Sequence, residues 1–273
     1  MGVGVAVLAA CALCLGPYTV SLGDTLSILA SRFVAIPQTW SSMAQNVILE
    51  VRLPRILGAL LVGASLAVAG AAYQGIFRNP LVSPDLLGVS SGACIGAAAA
   101  ILAGWGAFGV QGAAFAGGLG AVACTVTIPK LLKRDSTITL VLSGIIVGGF
   151  CGSILGLVKY LADPETQLPE IVYWQMGSLA KVDYGALASI APVMVVSMAA
   201  VLVMRWRINV LTMGDDEAST MGVNARRVRL IVILAATLVT AASVSISGRK
   251  ITQCGLPTDT QVPRYSTPST ISG

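Results

Sequence analysis

The chain has no histidine. That absence removes His-based nucleophilic triads, most zinc sites and most proton relays, because imidazole is the side chain that exchanges protons near neutral pH and a preferred metal ligand. Charge is also scarce. Only 11% of the 273 residues are charged, where a soluble domain carries about 25%, while 55% are hydrophobic and the mean hydropathy is +0.84. Such a chain cannot solvate itself and reads as an integral membrane protein. No G-x-x-x-x-G-K-[ST] loop occurs, so ATP is not expected to bind here. The twelve carboxylates lie between apolar runs and not within them. Ion-coupled carriers usually place ionisable groups inside the bundle, so the driving energy for any transport is expected from elsewhere. A membrane-embedded enzyme would need a catalytic cluster at span depth, and no paired acids or nucleophile–base pair is found there. Ser90, Ser91 and Ser143 read as small polar packing residues. No catalytic residue, metal ligand or cofactor is assigned.

Cysteine is present but carries no framework. Cys11, Cys14, Cys94, Cys124 and Cys151 lie in apolar runs, where a free thiol behaves as a small hydrophobe, and Cys254 lies beyond them. Cys11-x-x-Cys14 has redox spacing, but its Ala/Val/Leu surroundings favour packing. The net charge of +5 is not read as a nucleic-acid signal, since basic residues at the ends of spans follow the positive-inside bias.

Seven segments approach membrane length: 2–16, 56–77, 86–104, 107–129, 137–161, 184–204 and 228–247. The first is short for a span of about 20 residues. Leu8-Ala9-Ala10-Cys11 also resembles a lipoprotein cleavage box, and the reading of a first span is preferred to that of a removed leader. Lys130, Lys133 and Arg134, then Arg205, Arg207, Arg226, Arg227 and Arg229, fall on one side if the spans alternate, and so does Arg78. That side is assigned as cytoplasmic, with the N-terminus, leaving 17–55 and 162–183 outside. Small residues recur every four positions: Gly88, Gly92, Gly96, Ala100 and Gly104 in the third segment, and Gly144, Gly148, Gly152 and Gly156 in the fifth. Such ridges allow close helix packing, where van der Waals contact replaces the missing hydrophobic drive. Internal packing is preferred to a dimer face. Residues 168–179, with Pro169, Tyr173 and Trp174, suggest a short helix at the outer surface that either caps a pore entrance or anchors at the interface.

Two stretches carry mechanism. Residues 51–88 run from Val51-Arg52-Leu53-Pro54-Arg55 through a Gly/Ala-rich apolar segment to Asn79-Pro80-Leu81-Val82-Ser83-Pro84-Asp85. A charged gate, one membrane-length segment and a Pro-punctuated turn suit a channel-forming subunit that meets a partner at the membrane surface. Residues 211–226 hold Asp215, Asp216 and Glu217, which suit the first turn of a helix. Gly222 is a C-terminal stop, and Asn224 a cap for the next segment with Arg226 and Arg227 inside it. A helix, a Gly turn and a second helix form a knob that fits a groove on a soluble partner.

Arg52-Leu53-Pro54-Arg55, Asn79-Pro80-Leu81-x-x-Pro84-x-x-Leu87-Gly88, Trp174-x-Met176-Gly177-Ser178-Leu179 and Gly214-Asp215-Asp216-Glu217-Ala218-x-x-Met221-Gly222-Val223 occur in this order. Together, over about residues 17–248, they resemble the FecCD/BtuC-type permeases of ABC importers for iron–siderophores, haem and cobalamin. The resemblance implies an all-α, polytopic membrane helix bundle, with seven of about ten family spans present. It implies a non-enzymatic permease in the cytoplasmic (inner) membrane that works beside a second permease subunit. A cytoplasmic ATP-binding subunit, an extracytoplasmic substrate-binding protein and membrane lipid are its other partners, with no nucleic acid. By the same resemblance, Arg52 and Arg55 dock the binding protein. Met213, Gly214, Asp215, Asp216, Glu217, Ala218, Met221, Gly222 and Val223 belong to the coupling segment that meets the ATPase. The chelate itself is left open, and so is the choice of homodimer or heterodimer.

Residues 249–273 depart from the pattern. Pro, Ser and Thr dominate and no apolar period survives, so a disordered polar tail is expected after a permease domain at 1–248. The family continues with a Gly-Leu-x-x-Pro-His motif and about three more spans. A truncated or frameshifted reading is the expectation here, with a non-functional fragment and a secondary carrier as the alternatives.

Overall fold

The computed structural model describes residues 2–16, 18–32, 34, 37–80, 82–132, 137–180 and 182–247. The tail at 249–273, and Leu81, Lys133 and Arg134 of the sequence reading, lie outside the described residues. The described chain is all helix: α1 (Gly2–Cys14), α2 (Leu22–Ala30), α3 (Ser42–Asn46), α4 (Leu53–Phe77), α5 (Val89–Leu102), α6 (Ala107–Leu131), α7 (Thr137–Leu161), α8 (Gln167–Met176), α9 (Tyr184–Val203), α10 (Arg205–Met213), α11 (Asp215–Thr220) and α12 (Ala225–Ser247). It is a polytopic bundle, because helices satisfy every backbone polar group within one segment, as a lipid solvent demands.

Among the described residues, five helices are long and apolar enough to cross a membrane: Ser42–Phe77, Ala107–Leu131, Ile138–Leu161, Tyr184–Val203 and Ala225–Ser247. The other two expected segments form helices that are shorter than spans, Gly2–Cys14 and Val89–Leu102. The segment expected at 86–104 is not one continuous helix. Pro84–Leu87 forms a 3-10 turn and Gly88 takes the left-handed conformation, φ 79°, which breaks the helix before Val89. Asp85 then caps α5 by accepting the Ser90 N–H at 3.0 Å.

The second span differs most from the sequence reading. Arg52-Leu53-Pro54-Arg55 was expected in an outside segment, yet α3, a π-helical turn at Val47–Arg52 and α4 form one continuous helix of 36 residues. Pro54 has no N–H and its ring crowds the carbonyl four residues back. The wide turn absorbs this, with the Leu53 N–H reaching Ile48 O. At 1.5 Å per residue the helix is about 54 Å long, well beyond a hydrocarbon core of about 30 Å. If Phe77 marks one boundary, the other falls near Leu57, which leaves Arg52 and Arg55 at or beyond the interface.

Arg52 is buried, 9% exposed, and its guanidinium donates to the Leu13 and Tyr18 carbonyls. It clamps the end of α1 and the following loop onto the start of α4. Tyr184 at the start of α9 donates to Leu49 O at 2.6 Å, which ties a second helix to this end.

The core sits along α12, two-thirds of whose apolar window is buried. Its hydroxyls turn back on their own helix, with Thr240 donating to Ala236 O and Ser243 to Val239 O, both at 2.7 Å. Thr237 instead meets the Tyr73 hydroxyl of α4 at 3.0 Å, where both residues are buried. Tyr73 stacks on Phe77 with ring centroids 5.9 Å apart.

The glycine ridges pack unevenly. Gly92 and Gly96 of α5 press against α6: a Cβ at Gly96 would lie 2.1 Å from Ala113 O, and one at Gly92 2.4 Å from Gly117 O. Gly144 is equally tight, 2.2 Å from Leu86 O, and Gly148 sits by Ser91. Gly152 and Gly156 have open space. Internal packing therefore accounts for only the first half of the α7 ridge. Exposed Ile145, Ile146, Phe150 and Leu157 share that helix, as an apolar solvent allows.

Two outcomes follow. Gly96→Val should lower unfolding stability in detergent by about 1–3 kcal/mol through overpacking of α5 on α6, while Gly152→Ala should leave it unchanged. Arg52→Ala removes charge-assisted hydrogen bonds of about 1.5–3 kcal/mol each. Hydrogen exchange should rise in residues 2–20 and not in α5 or α6.

Candidate functional site

The residues singled out by sequence gather at opposite ends of the α4–α12 seam. At one end lie Arg52 and Arg55. Arg55 is exposed and open to a partner, whereas Arg52 is occupied by Leu13 and Tyr18. The same end holds α8, whose N-terminal Gln167 donates to Leu102 O at 3.4 Å. Beyond it the Ser178 N–H reaches Ser247 O at the close of α12. The short helix expected around 168–179 is thus present as α8, with Trp174 buried and Tyr173 exposed. Just before it the Thr166 hydroxyl and N–H both donate to Asp163, which holds that carboxyl below its ordinary pKa.

The other end carries the knob. α10 lies across α4 at Gly75, where an added Cβ would be 2.6 Å from the Ile208 side chain. α11 follows after Gly214, whose φ of 147° suits only glycine, and a Cβ there would collide with the Glu217 carboxylate. Three acidic residues occupy the first turn of α11, Gly222 turns the chain at φ 74°, and Asn224 Oδ1 accepts the Arg227 N–H at 3.0 Å to cap α12. These local features match the pattern read from sequence, because each is a short-range signal.

The knob has two faces. Leu211, Ala218 and Val223 are buried against the bundle. Met213, Asp216, Glu217 and Met221 are exposed. Together they form an acidic tip flanked by two flexible thioether side chains, of the kind that adapts to a partner surface. Asp215 belongs to neither face. It turns sideways, meeting Arg78 Nη2 at 3.2 Å and Arg229 Nη2 at 3.0 and 3.3 Å. Sequence reasoning missed both arginines as partners, since Arg78 is 137 residues from Asp215. The one available hint was an arginine directly after a span, where a glycine stop is usual. Among the described residues no group of His, Cys, Asp or Glu is arranged to hold a metal ion.

The chain is similar to known import permeases. The chain is 36% identical over 234 residues to the molybdate import permease MolB of Haemophilus influenzae, covering 86% of this chain and 69% of that protein. It is 38% identical over 225 residues to the cobalamin import permease BtuC of Halobacterium salinarum, covering 82% and 59%. It is 34% identical over 209 residues to the hemin transport permease HmuU of Yersinia pestis, covering 73% and 61%. The chain thus spans about 59–69% of the length of these relatives. Among solved structures, one described as an inward-facing metal-chelate type ABC transporter superposes with a TM-score of 0.78 at 34% identity, over 90% of this chain and 74% of that one. The FecCD transport family matches residues 4–253, and the chain belongs to that family.

Proposed function

We propose that this chain is the membrane-spanning permease of an ABC importer, which moves a metal-bearing chelate such as an iron–siderophore, haem or cobalamin. The observation that carries the reading is the knob of α10 and α11. It is a short acidic helix held out from the bundle on a buried seat, with an exposed rim that nothing in the chain covers among the described residues. A cytoplasmic ATPase supplies the energy, since this chain has neither a nucleotide loop nor charges at mid-span. The knob end is cytoplasmic. The import permeases named above support this reading, as does the end-to-end separation of the knob from Arg55.

Mechanism follows from the two ends. Nucleotide binding draws the ATPases together, the knob moves with them, and helices attached to it shift the bundle between outward- and inward-open states. The acidic tip of Asp216 and Glu217 fits a groove with basic character, and Met213 and Met221 fill apolar pockets beside it. At the other end Arg55 pairs with carboxylates of an extracytoplasmic binding protein, a contact that fixes register more than raw affinity. Arg52 serves this end from within, by holding α1 against the arginine-bearing helix. A second permease copy or a paralogue completes the pathway.

Two substitutions test the assignment. Glu217→Arg reverses the charge of the tip and should weaken pull-down of the partner ATPase by about a hundredfold or more, because like-charge juxtaposition costs about 3 kcal/mol. Unchanged ATPase binding would remove the coupling assignment. Arg55→Glu should slow association with the binding protein and flatten its salt dependence, while ATPase binding stays as in the parent.

A further inference from the structure

The coupling segment could be passive, a surface that is simply pushed. The side chains around it suggest a built linkage. Asp215 is the first residue of α11, Arg78 follows the last residue of α4, and Arg229 lies in the first turns of α12. One carboxylate therefore joins three helices, at 3.2 Å to Arg78 and 3.0 Å to Arg229. Arg78 and Asp215 are about half exposed. Ion pairs of that kind add little to stability but do fix orientation. Arg229 is more enclosed, and its Nε is buried without a hydrogen-bond partner while Nη2 meets both carboxylate oxygens. Asp215 thus orients a guanidinium that is otherwise incompletely satisfied.

Arg78 adds an independent observation. It has φ 52° and ψ 35°, and is the one residue other than glycine with positive φ among those described. Its N–H bonds Gly75 O at 3.3 Å, and the Asn79 N–H bonds Gln74 O at 3.2 Å. This is the helix stop that glycine makes without strain. An arginine held in the left-handed region costs backbone energy, and strain of this sort concentrates where a side chain has work to do. The work visible here is the pair with Asp215.

We propose that Arg78, Asp215 and Arg229 form a positioning triad that transmits motion of α11 into α4 and α12. It rests on the coupling role proposed above but assigns Asp215 a different task from its neighbours. Asp216 and Glu217 face the partner, while Asp215 faces its own chain. Displacing α11 then displaces the ends of two helices that are locked together further in by Tyr73 and Thr237. Without the triad, the knob could still dock and yet shift on its seat without moving the bundle.

The test uses the full transporter, with its partner ATPase, in proteoliposomes. On a background with the native cysteines replaced, Leu57→Cys on the exposed, opposite part of α4 reports the bundle through its maleimide labelling rate with and without ATP. Arg78→Gly is the central variant, because it relieves backbone strain: Tm should hold or rise and ATPase affinity should stay as in the parent. The ATP-induced change in labelling should nevertheless be lost. Asp215→Asn should lose it too, and Asp215→Glu should restore it. A full ATP response in Arg78→Gly or in Asp215→Asn overturns the triad. So does a drop in ATPase affinity for Asp215→Asn equal to that of Glu217→Arg, which would make Asp215 a docking residue. If Glu217→Arg itself leaves ATPase binding intact, the coupling role of the knob fails, a result distinct from failure of the triad.

Discussion

The contact between α4 and α12 organises the rest of the molecule. It is made deep in the bundle by Tyr73 and Thr237, a hydroxyl pair 3.0 Å apart between two buried residues. In an apolar solvent such a pair has no water to replace it, so each helix fixes the rotation of the other. α12 satisfies its remaining hydroxyls on its own carbonyls, which lets its central stretch sit in the bundle without orphaned hydroxyl groups. The outer helices then need only small residues and shape. α5 meets α6 through Gly92 and Gly96, and α7 meets the Pro84–Leu87 turn through Gly144.

The two ends of this seam differ in chemistry. At one, Arg52 is drawn inward to carbonyls while Arg55, one turn on, stays exposed. At the other, Arg78 and Arg229 converge on Asp215, beneath a knob whose own tip is acidic. A bundle with a rigid seam and a distinct surface at each end is suited to passing movement from one side of a membrane to the other. Family membership places the chain among transport proteins.

Much of this was legible in the sequence, for identifiable reasons. All seven apolar segments form helices because burial in lipid leaves the backbone little else to do. The acidic first turn of α11, the Gly222 stop and the Asn224 cap are local signals, and each appears in the structure. The break before Val89 was harder to see, since Gly88 sits in a run of small residues where it also reads as packing. Arg52-Leu53-Pro54-Arg55 looked like the close of an outside segment because its two arginines stand just before the apolar run that starts at Ile56. The π turn that carries the helix through Pro54 has no sequence mark of its own. The triad joins residues far apart in the chain, and no periodicity encodes it. Half of the α7 ridge also misled, because spacing alone does not say that Gly152 and Gly156 lack a neighbour.

The central claim is that α11 and the adjoining ends of α4 and α12 move as one body. Spin labels at Thr220 of α11 and Leu230 of α12, on a background with the native cysteines replaced, measure that directly in the reconstituted transporter. The account predicts a distance that stays within about 2 Å between the nucleotide-free and ATP-bound states, the scale of a small helix adjustment. A larger change across that pair would show the knob sliding on its seat, and would contradict the account.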